Sequence, residues 1–204
     1  MAQRLDQLFY SRTAREVAQD LLGKQLVRLL DGRRLSGCIV ETEAYCDTEE
    51  KDLACHGDRA NNGRPTSRTA VMFGLAGHAY VYFTYGVHWM FNIVTGQEGQ
   101  ANAVLIRALE PLEGLEIMAQ NRHGRSQAQL TSGPARLTQA LAIDKSLNAA
   151  NLCDPQGVIW IEDAPPIAAA QISAGPRIGL GKTPEPWLSM PWRYWITDNP
   201  FVSR

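Results

Sequence analysis

The strongest constraint on this chain is its punctuation: strand-like segments are separated by tight-turn signals rather than by long helical stretches. Residues 24–30 read as a strand, Asp31-Gly32 is a hairpin turn signal, and a second strand follows over residues 34–45. The pattern repeats downstream. Residues 79–85 alternate and are aromatic and β-branched, Gly86 marks a turn, and residues 88–95 form the returning strand. Further strand signals lie at residues 103–109, 158–161, 176–180 and 192–197. Strands joined by tight turns pair antiparallel.

Helical signals are fewer. Thr13-Ala14-Arg15-Glu16 has the form of a capping box, Val17, Ala18, Leu21 and Leu22 follow at helical spacing, and Gly23 closes the helix. Glu110-Pro111-Leu112-Glu113 reads as the opening of a second helix running to about residue 121, with proline at its first position and acids in its first turn. Ser132-Gly133-Pro134 precedes a third over residues 135–141. No repeat or linker interrupts this order. The expected fold class is α+β: one domain over residues 1–204, built on a curved, mostly antiparallel β-sheet flanked by helices.

Composition agrees and narrows the function. A chain of 204 residues, 45% hydrophobic and 20% charged, can bury the core of one ordinary domain and is neither a disordered chain nor a disulfide scaffold. With 20 Lys+Arg against 21 Asp+Glu, the net charge of -1 excludes a globally basic nucleic-acid coat but not a local basic face. The longest apolar runs, such as residues 79–83 and 103–106, are strand-sized, and the first six residues lack the apolar core of a signal peptide. No membrane association is expected. Cys38, Cys46, Cys55 and Cys153 form no C-x-x-C pair, so buried free thiols in a reducing cytoplasm are expected.

Residues 46–70 change character. Asp47, Glu49, Glu50 and Asp52 are followed by Gly57, Asn61, Asn62, Gly63 and Pro65, with Arg59, Arg64 and Arg68 among them. This composition predicts a long loop, of the kind that is functional or disordered, with a basic half suited to a phosphate backbone.

Several residues could carry chemistry. On a strand, Glu41, Glu43 and Tyr45 share one face. Carboxylates beside an aromatic ring make an odd core, and a solvated acidic edge is the competing explanation. Arg107, inside an apolar strand, wants a carboxylate, and Glu41 or Glu43 would serve. Tyr80, Tyr82 and Thr84 point one way and Val81, Phe83 and Tyr85 the other. Core packing suits Tyr80, whereas Tyr85, at a hairpin tip against Gly86, is a candidate wedge or stacking platform. Asn92 places an amide that needs partners within an apolar strand. Ser132-Gly133-Pro134-Ala135-Arg136 at a helix start could hold an anion. Cys46, Cys55 and His56 fit no common zinc spacing. No Walker P-loop, G-x-S-x-G or H-E-x-x-H motif is present, and Gly179-Leu180-Gly181 lacks the rest of a dinucleotide fingerprint.

Taken together and in order, these segments resemble the alkyladenine (3-methyladenine) DNA glycosylase family. The resemblance runs along nearly the whole chain. It is carried by Ala18-Gln19-Asp20-Leu21-Leu22-Gly23-Lys24, Val40-Glu41-Thr42-Glu43-Ala44-Tyr45, Ala54-Cys55-His56, Met72-Phe73-Gly74, Tyr80-Val81-Tyr82, Tyr85-Gly86 and Phe91-Asn92. It continues through the run from Val104 to Gly114, Ser132-Gly133-Pro134 and Asn199-Pro200-Phe201-Val202-Ser203.

The resemblance implies a monofunctional enzyme without metal or other cofactor. It would flip damaged purines of the 3-methyladenine, 7-methylguanine, hypoxanthine and ethenoadenine class out of duplex DNA and hydrolyse the N-glycosidic bond, initiating base excision repair. Glu43 would be the general base, and Arg107 would help hold the water and the glutamate while lowering the glutamate's pKa. Tyr45, His56 and Tyr82 would enclose the flipped base, and Asn92 would discriminate against guanine. Tyr85 would be the wedge, on a protruding β-hairpin that inserts into DNA. Arg59, Arg64, Ser132, Gly133 and Arg136 would meet the backbone, with Arg68, Arg122, Arg125, Arg177 and Lys182 as further candidates.

A monomer without the mammalian type's N-terminal extension is expected, acting at the nucleoid of a bacterial cytoplasm. Arg136 departs from a lysine found in some members, which changes the geometry of a phosphate contact. Two alternatives stand beside this one. The first is a catalytically silent binder of damaged DNA on the same fold, against which a charged pair of Glu43 and Arg107 argues. The second is a small-molecule hydrolase with Cys46, Cys55 and His56 as a metal site.

Overall fold

The second strand is the axis of the structure. In this computed structural model, which describes residues 3–46, 52–59 and 64–203 with the side chains of Asp58 and Arg59 excepted, it runs for 13 residues. In chain order the strands are β1 (Gln25–Leu30), β2 (Arg33–Tyr45), β3 (Ala79–Thr84), β4 (His88–Val94), β5 (Ala103–Glu113), β6 (Ile159–Glu162), β7 (Ile172–Gly175) and β8 (Arg193–Ile196). The sheet order is β3-β4-β5-β2-β1-β6, with β8 also on β2 and β7 on β8, and every named pairing is antiparallel. The helices are α1 (Gln7–Tyr10), α2 (Ala14–Asp20), α3 (His56–Arg59), α4 (Leu115–Asn121) and α5 (Pro134–Ala140). The architecture is the expected α+β sheet with flanking helices.

Local chemistry explains the frame. Asp31 and Gly32 sit at φ 49° and 75°, the positive values that a two-residue hairpin loop demands. Thr13 caps α2 by accepting from Glu16 N while the Glu16 carboxylate accepts from Thr13 N, which completes the capping box. Val17, Ala18, Leu21 and Leu22 are fully or almost fully buried in the main core with Ile39, Ala44, Val104 and Ile106. Thr42 turns to the same side and donates to Ala18 O at 2.8 Å. Glu41, Glu43 and Tyr45 must therefore face the opposite side of the sheet. A second, smaller apolar cluster contains Cys55, Met72, Tyr80, Val94, Ala101 and Ala103, with Tyr45 and Tyr82 packed against it.

The two halves of β2 have different neighbours. Its first half pairs with β1, and its second half, Glu41–Glu43, pairs with β8. Along its other edge β5 pairs from Ser36 to Tyr45, with register shifts between Ile39 and Glu41 and again between Glu41 and Thr42. Val40 is the extra residue on β2 and Arg107 the extra residue on β5. Such bulges re-aim side chains, and these two lie where Glu41 meets Arg107.

Two sequence expectations are corrected. Glu110-Pro111-Leu112-Glu113 opens no helix. β5 continues through Glu113, and α4 begins only after Gly114, at φ 76°. Pro111 lies opposite Gly37, beside a further register shift, and a Cβ on Gly37 would come within 2.9 Å of Leu109 Cβ and 3.0 Å of Glu110 O. A missing side chain and a missing N–H meet at one irregular point of the ladder, where proline is tolerated. Residues 176–180 are not a strand either. The ladder there ends with β7 at Gly175, because the Ile178 N–H is donated to the Glu43 side chain rather than to a neighbouring backbone.

The long segment 46–70 contains α3. The sequence expectations at Asp47, Glu49, Glu50, Asn61, Asn62 and Gly63, and the side chain of Arg59, lie outside the described residues. Gly57 of α3 meets the residues leading into β5 so closely that an added Cβ would fall 2.0 Å from Ala101 Cβ. Gly57→Ala is expected to cost about 1–3 kcal/mol through overpacking. A drop in Tm of several degrees in a thermal melt checks this; an unchanged Tm would mean that α3 is not seated as described.

Candidate active site

The carboxylates of β2 are not a solvated edge. Glu41 and Glu43 both have no exposed surface. Burial of unpaired carboxylates is prohibitive, and here each is met by guanidinium groups from neighbouring strands. Arg107 on β5 donates from Nε to Glu41 Oε1 at 3.2 Å and holds Nη1 3.2 Å from Glu43 Oε1. Arg193 on β8 donates to Glu41 Oε1 at 3.0 Å. The Ser203 N–H donates to Glu41 Oε2 at 2.8 Å, and Arg107 Nη2 reaches Ser203 Oγ at 3.3 Å. Arg107 thus serves both carboxylates, where either one had been expected. Two carboxylates and two guanidiniums balance in charge.

Glu43 accepts two hydrogen bonds and faces one guanidinium. Its Oε1 accepts from Ile178 N at 2.7 Å as well as facing Arg107, and its Oε2 accepts from Tyr45 OH at 2.8 Å. Burial raises its pKa, and this outweighs the lowering by Arg107, by the Ile178 N–H and by Tyr45, with Glu41 adding to the rise. The expectation that Arg107 would set the pKa below the ordinary value is therefore corrected: the arginine acts in the expected direction, but desolvation is larger.

Above this cluster lies a cavity of about 190 Å³ lined by Tyr45, Ala54, His56, Met72, Tyr80, Tyr82, Asn92, Gly179 and Leu180, with Thr84 and Tyr85 on the hairpin side. Drug-sized ligands occupy pockets of roughly 300–1,000 Å³, so this one suits a single flat ring system. His56 Nδ1 lies 3.0 Å from Tyr80 OH, and its ring meets Tyr82 edge-on with centroids 4.6 Å apart. Burial raises the Tyr82 hydroxyl to about 12. Asn92 Nδ2 donates to Tyr80 O at 3.0 Å. Arg68 is exposed and places its guanidinium 4.9 Å from the Tyr82 ring centroid.

The structure thus brings Tyr45, His56, Tyr82 and Asn92 to one pocket. Neither Glu43 nor Arg107 lines it; Glu43 is joined to it through the lining Tyr45 and through Ile178, the residue before the lining Gly179. Tyr85 touches the cavity only from its rim at the β3–β4 tip, 83% exposed, in a turn closed by Val87 N on Thr84 O at 3.1 Å. It takes φ 51° and Gly86 takes φ 70°. A bulky aromatic residue is a poor choice for that backbone and that exposure, and strained positions of this kind cluster at functional sites.

The basic candidates divide. Arg64 is exposed. Burial, together with the charges of Arg136 and Arg125, lowers the Arg122 pKa, which marks a cluster of cations between α4 and α5. Arg136 is exposed and donates from Nη1 to Ser132 O and Oγ at 3.1 and 3.0 Å. Ser132 Oγ donates to Ala128 O, and the Gly133 N–H is engaged by Thr131 O at 3.0 Å, so this helix start offers fewer open donors than its sequence suggests. Arg177 is corrected: it is 4% exposed and forms a bidentate pair with Asp52, so it is no surface cation for a phosphate. Among the described residues no three His, Cys, Asp or Glu side chains gather as a metal-ligand set, and no helix is long and apolar enough to cross a membrane. None of the four cysteines forms a disulfide, and burial raises the Cys38 thiol to about 11.

Sequence reasoning missed Arg193, Asp52, Ser203 and the Ile178 N–H as site groups. Only the tail motif 199–203 gave a signal, and it docks here through Ser203 and through Asn199, which donates to Glu110 at 2.9 Å.

A family model described as methylpurine-DNA glycosylase (MPG) matches residues 8–200. A relative from Carboxydothermus hydrogenoformans is 46% identical over 98% of this chain and 98% of its own length. Others from Chlorobaculum parvum and Methanocella arvoryzae are 45% and 46% identical, over 98% and 96% of this chain and 90% and 94% of their own lengths. All three carry the name "Putative 3-methyladenine DNA glycosylase". On the strength of a match spanning almost every described element, the chain belongs to the methylpurine-DNA glycosylase family.

Proposed function

We propose that this protein, a DNA glycosylase of alkylation-damage base excision repair, releases alkylated, deaminated and etheno purines of the 3-methyladenine class from duplex DNA as a single glycosylase domain, with Glu43 as its general base. The observation that carries this is the buried Glu43, held by Arg107, Tyr45 and the Ile178 N–H and bonded through Tyr45 to the wall of an aromatic pocket. An ionised carboxylate offers about four lone-pair sites. Two accept hydrogen bonds and Arg107 faces Oε1, which leaves one on Oε2 for a water. That water attacks the anomeric carbon as the purine departs, and the carboxylate stabilises the oxocarbenium-like charge that builds on the sugar. Glu43 is closed off by Tyr45, so Tyr45 must shift as the nucleotide enters.

The remaining roles follow from position. Tyr45, His56 and Tyr82 enclose the flipped base, and their ring faces favour the positive charge of an alkylated purine. The Asn92 amide, fixed by its bond to Tyr80 O, discriminates against the amino group of guanine. The β3–β4 hairpin inserts Tyr85 into the gap left by the flipped nucleotide. The cation cluster of Arg122, Arg125 and Arg136, with Arg64 and Arg59, meets phosphates. A binder without chemistry would have no use for a balanced charge cluster under its pocket.

Three outcomes test this. In EDTA, wild type should release hypoxanthine, ethenoadenine or a methylated purine from a duplex, and Glu43→Gln should lower single-turnover release by about 100-fold or more while lesion-duplex binding in gel shifts changes little. Near-normal release by the variant would remove Glu43 from the chemistry. The wild-type rate should rise with pH along an acid limb above the ordinary carboxylate range, since burial raises the Glu43 pKa and only the ionised form is a base. A limb at or below that range would contradict the buried-base assignment. Tyr85→Asn puts a residue suited to positive φ at the tip. It should stabilise the fold by roughly 1 kcal/mol, read as about 2–4 °C in Tm, yet weaken binding to lesion duplex more than to single strands. Equal losses on both would defeat the wedge.

A further inference from the structure

The Asp52–Arg177 ion pair takes no part in the chemistry above, yet it joins the end of β2, residues 52–56 and residues 177–180 beside Glu43. Asp52 has no exposed surface and Arg177 is 4% exposed. Arg177 donates Nη1 to Asp52 Oδ2 at 2.6 Å and Nη2 to Oδ1 at 2.9 Å. Nη1 also donates to Ala44 O at 3.0 Å, and the guanidinium lies 4.8 Å from the Tyr45 ring centroid and 4.9 Å from that of Trp192. Asp52 accepts in addition from Ala54 N at 3.0 Å and Cys46 N at 3.3 Å.

Three stretches meet here. The end of β2 brings Glu43 and Tyr45. Residues 52–56 bring Ala54 and His56 of the pocket wall. Residues 177–180 bring the Ile178 N–H to Glu43 and place Gly179 and Leu180 in the same wall. A buried ion pair is a poor source of net stability compared with apolar packing. Its distinctive property is the fork-to-fork geometry, which fixes two backbones relative to one another.

We infer that the Asp52–Arg177 pair is a positioning clamp that sets the Ile178 amide against Glu43 and the Ala54–His56 wall opposite Tyr45, so that one interaction aligns base and pocket. The pair touches neither substrate nor the reacting atoms. Its catalytic consequence rests on the role proposed for Glu43, whereas its structural consequence does not.

A pH profile reports on the clamp through Glu43. That carboxylate faces Arg107 from β5, Glu41 and Tyr45 from β2, Tyr82 from β3, Arg177 from the loop after β7, and its ladder partner Arg193 on β8. Loss of the Ile178 N–H removes a group that favours the ionised form, so the carboxylate becomes harder to ionise.

Asp52→Asn and Arg177→Lys test the clamp by hydrogen–deuterium exchange and by the pH dependence of single-turnover base release. In either variant, exchange should rise in peptides covering both 52–56 and 177–181 while the 25–30 peptide is unchanged. The release rate should fall tenfold or more in both, and in Arg177→Lys, which leaves the charges in place, the acid limb should move to higher pH. Loosening confined to the substituted segment, or a uniform rise in exchange, would overturn the clamp, as would a slower Arg177→Lys rate with the acid limb where wild type has it. If Asp52→Asn fails to fold, Arg177→Lys, which keeps the charge but loses the fork, decides the matter. Failure of wild type to release any base would overturn the proposed function instead, and exchange alone would then judge the clamp.

Discussion

Two carboxylates two residues apart on one strand face the same way, and in this protein that way leads inward. Glu41 and Glu43 have no exposed surface, so the region around them has to supply compensating charge and donors from several directions at once. Arg107 comes from β5, Arg193 from β8, one backbone N–H from Ser203 and another from Ile178. Each of these anchors a different stretch of chain to β2. The requirement to neutralise two buried acids therefore organises much of the second half of the sequence, including the tail.

The sheet makes this possible by dividing its labour between faces. One side of β2 sends Thr42 and Ala44 to α2 and the main core, where apolar burial supplies the stability. The other side carries the acids and Tyr45 beneath a small aromatic cluster that stays open as a cavity. The paired register shifts at Val40 and Arg107 sit at the border between the half of β2 held by β1 and the half held by β8. A regular ladder would not need them. Here they carry Arg107 to a point from which one guanidinium reaches both carboxylates.

How much of this was legible depends on how local each signal is. The β1–β2 hairpin was readable because Asp31-Gly32 satisfies a backbone requirement that few residue pairs meet, and the α2 cap because its donors and acceptors lie within three residues. Pro111 was misread because proline with acids about it has the same local form in a helical first turn and at a strand irregularity; the difference lies at Gly37, more than seventy residues upstream. Arg177 was misread as a surface cation because its partner Asp52 belongs to a stretch whose composition reads only as acidic loop. His56, Tyr82 and Asn92 were nameable through family resemblance, since no spacing in the chain announces that a loop and two strands converge on one cavity.

What the sequence by itself determined is the two hairpins, the capped α2, the antiparallel character of the sheet and the chemical types available: two acids on one strand face, an arginine inside an apolar strand, an aromatic residue beside a hairpin-tip glycine. These follow from period, turn chemistry and caps, all of which act over a few residues. Only the tertiary structure decided that the acids are buried rather than solvated, that Glu43 has a raised rather than a lowered pKa, and that Arg177 faces inward. Desolvation and ion pairing depend on what surrounds a group in space, and those neighbours come from segments far apart in the chain.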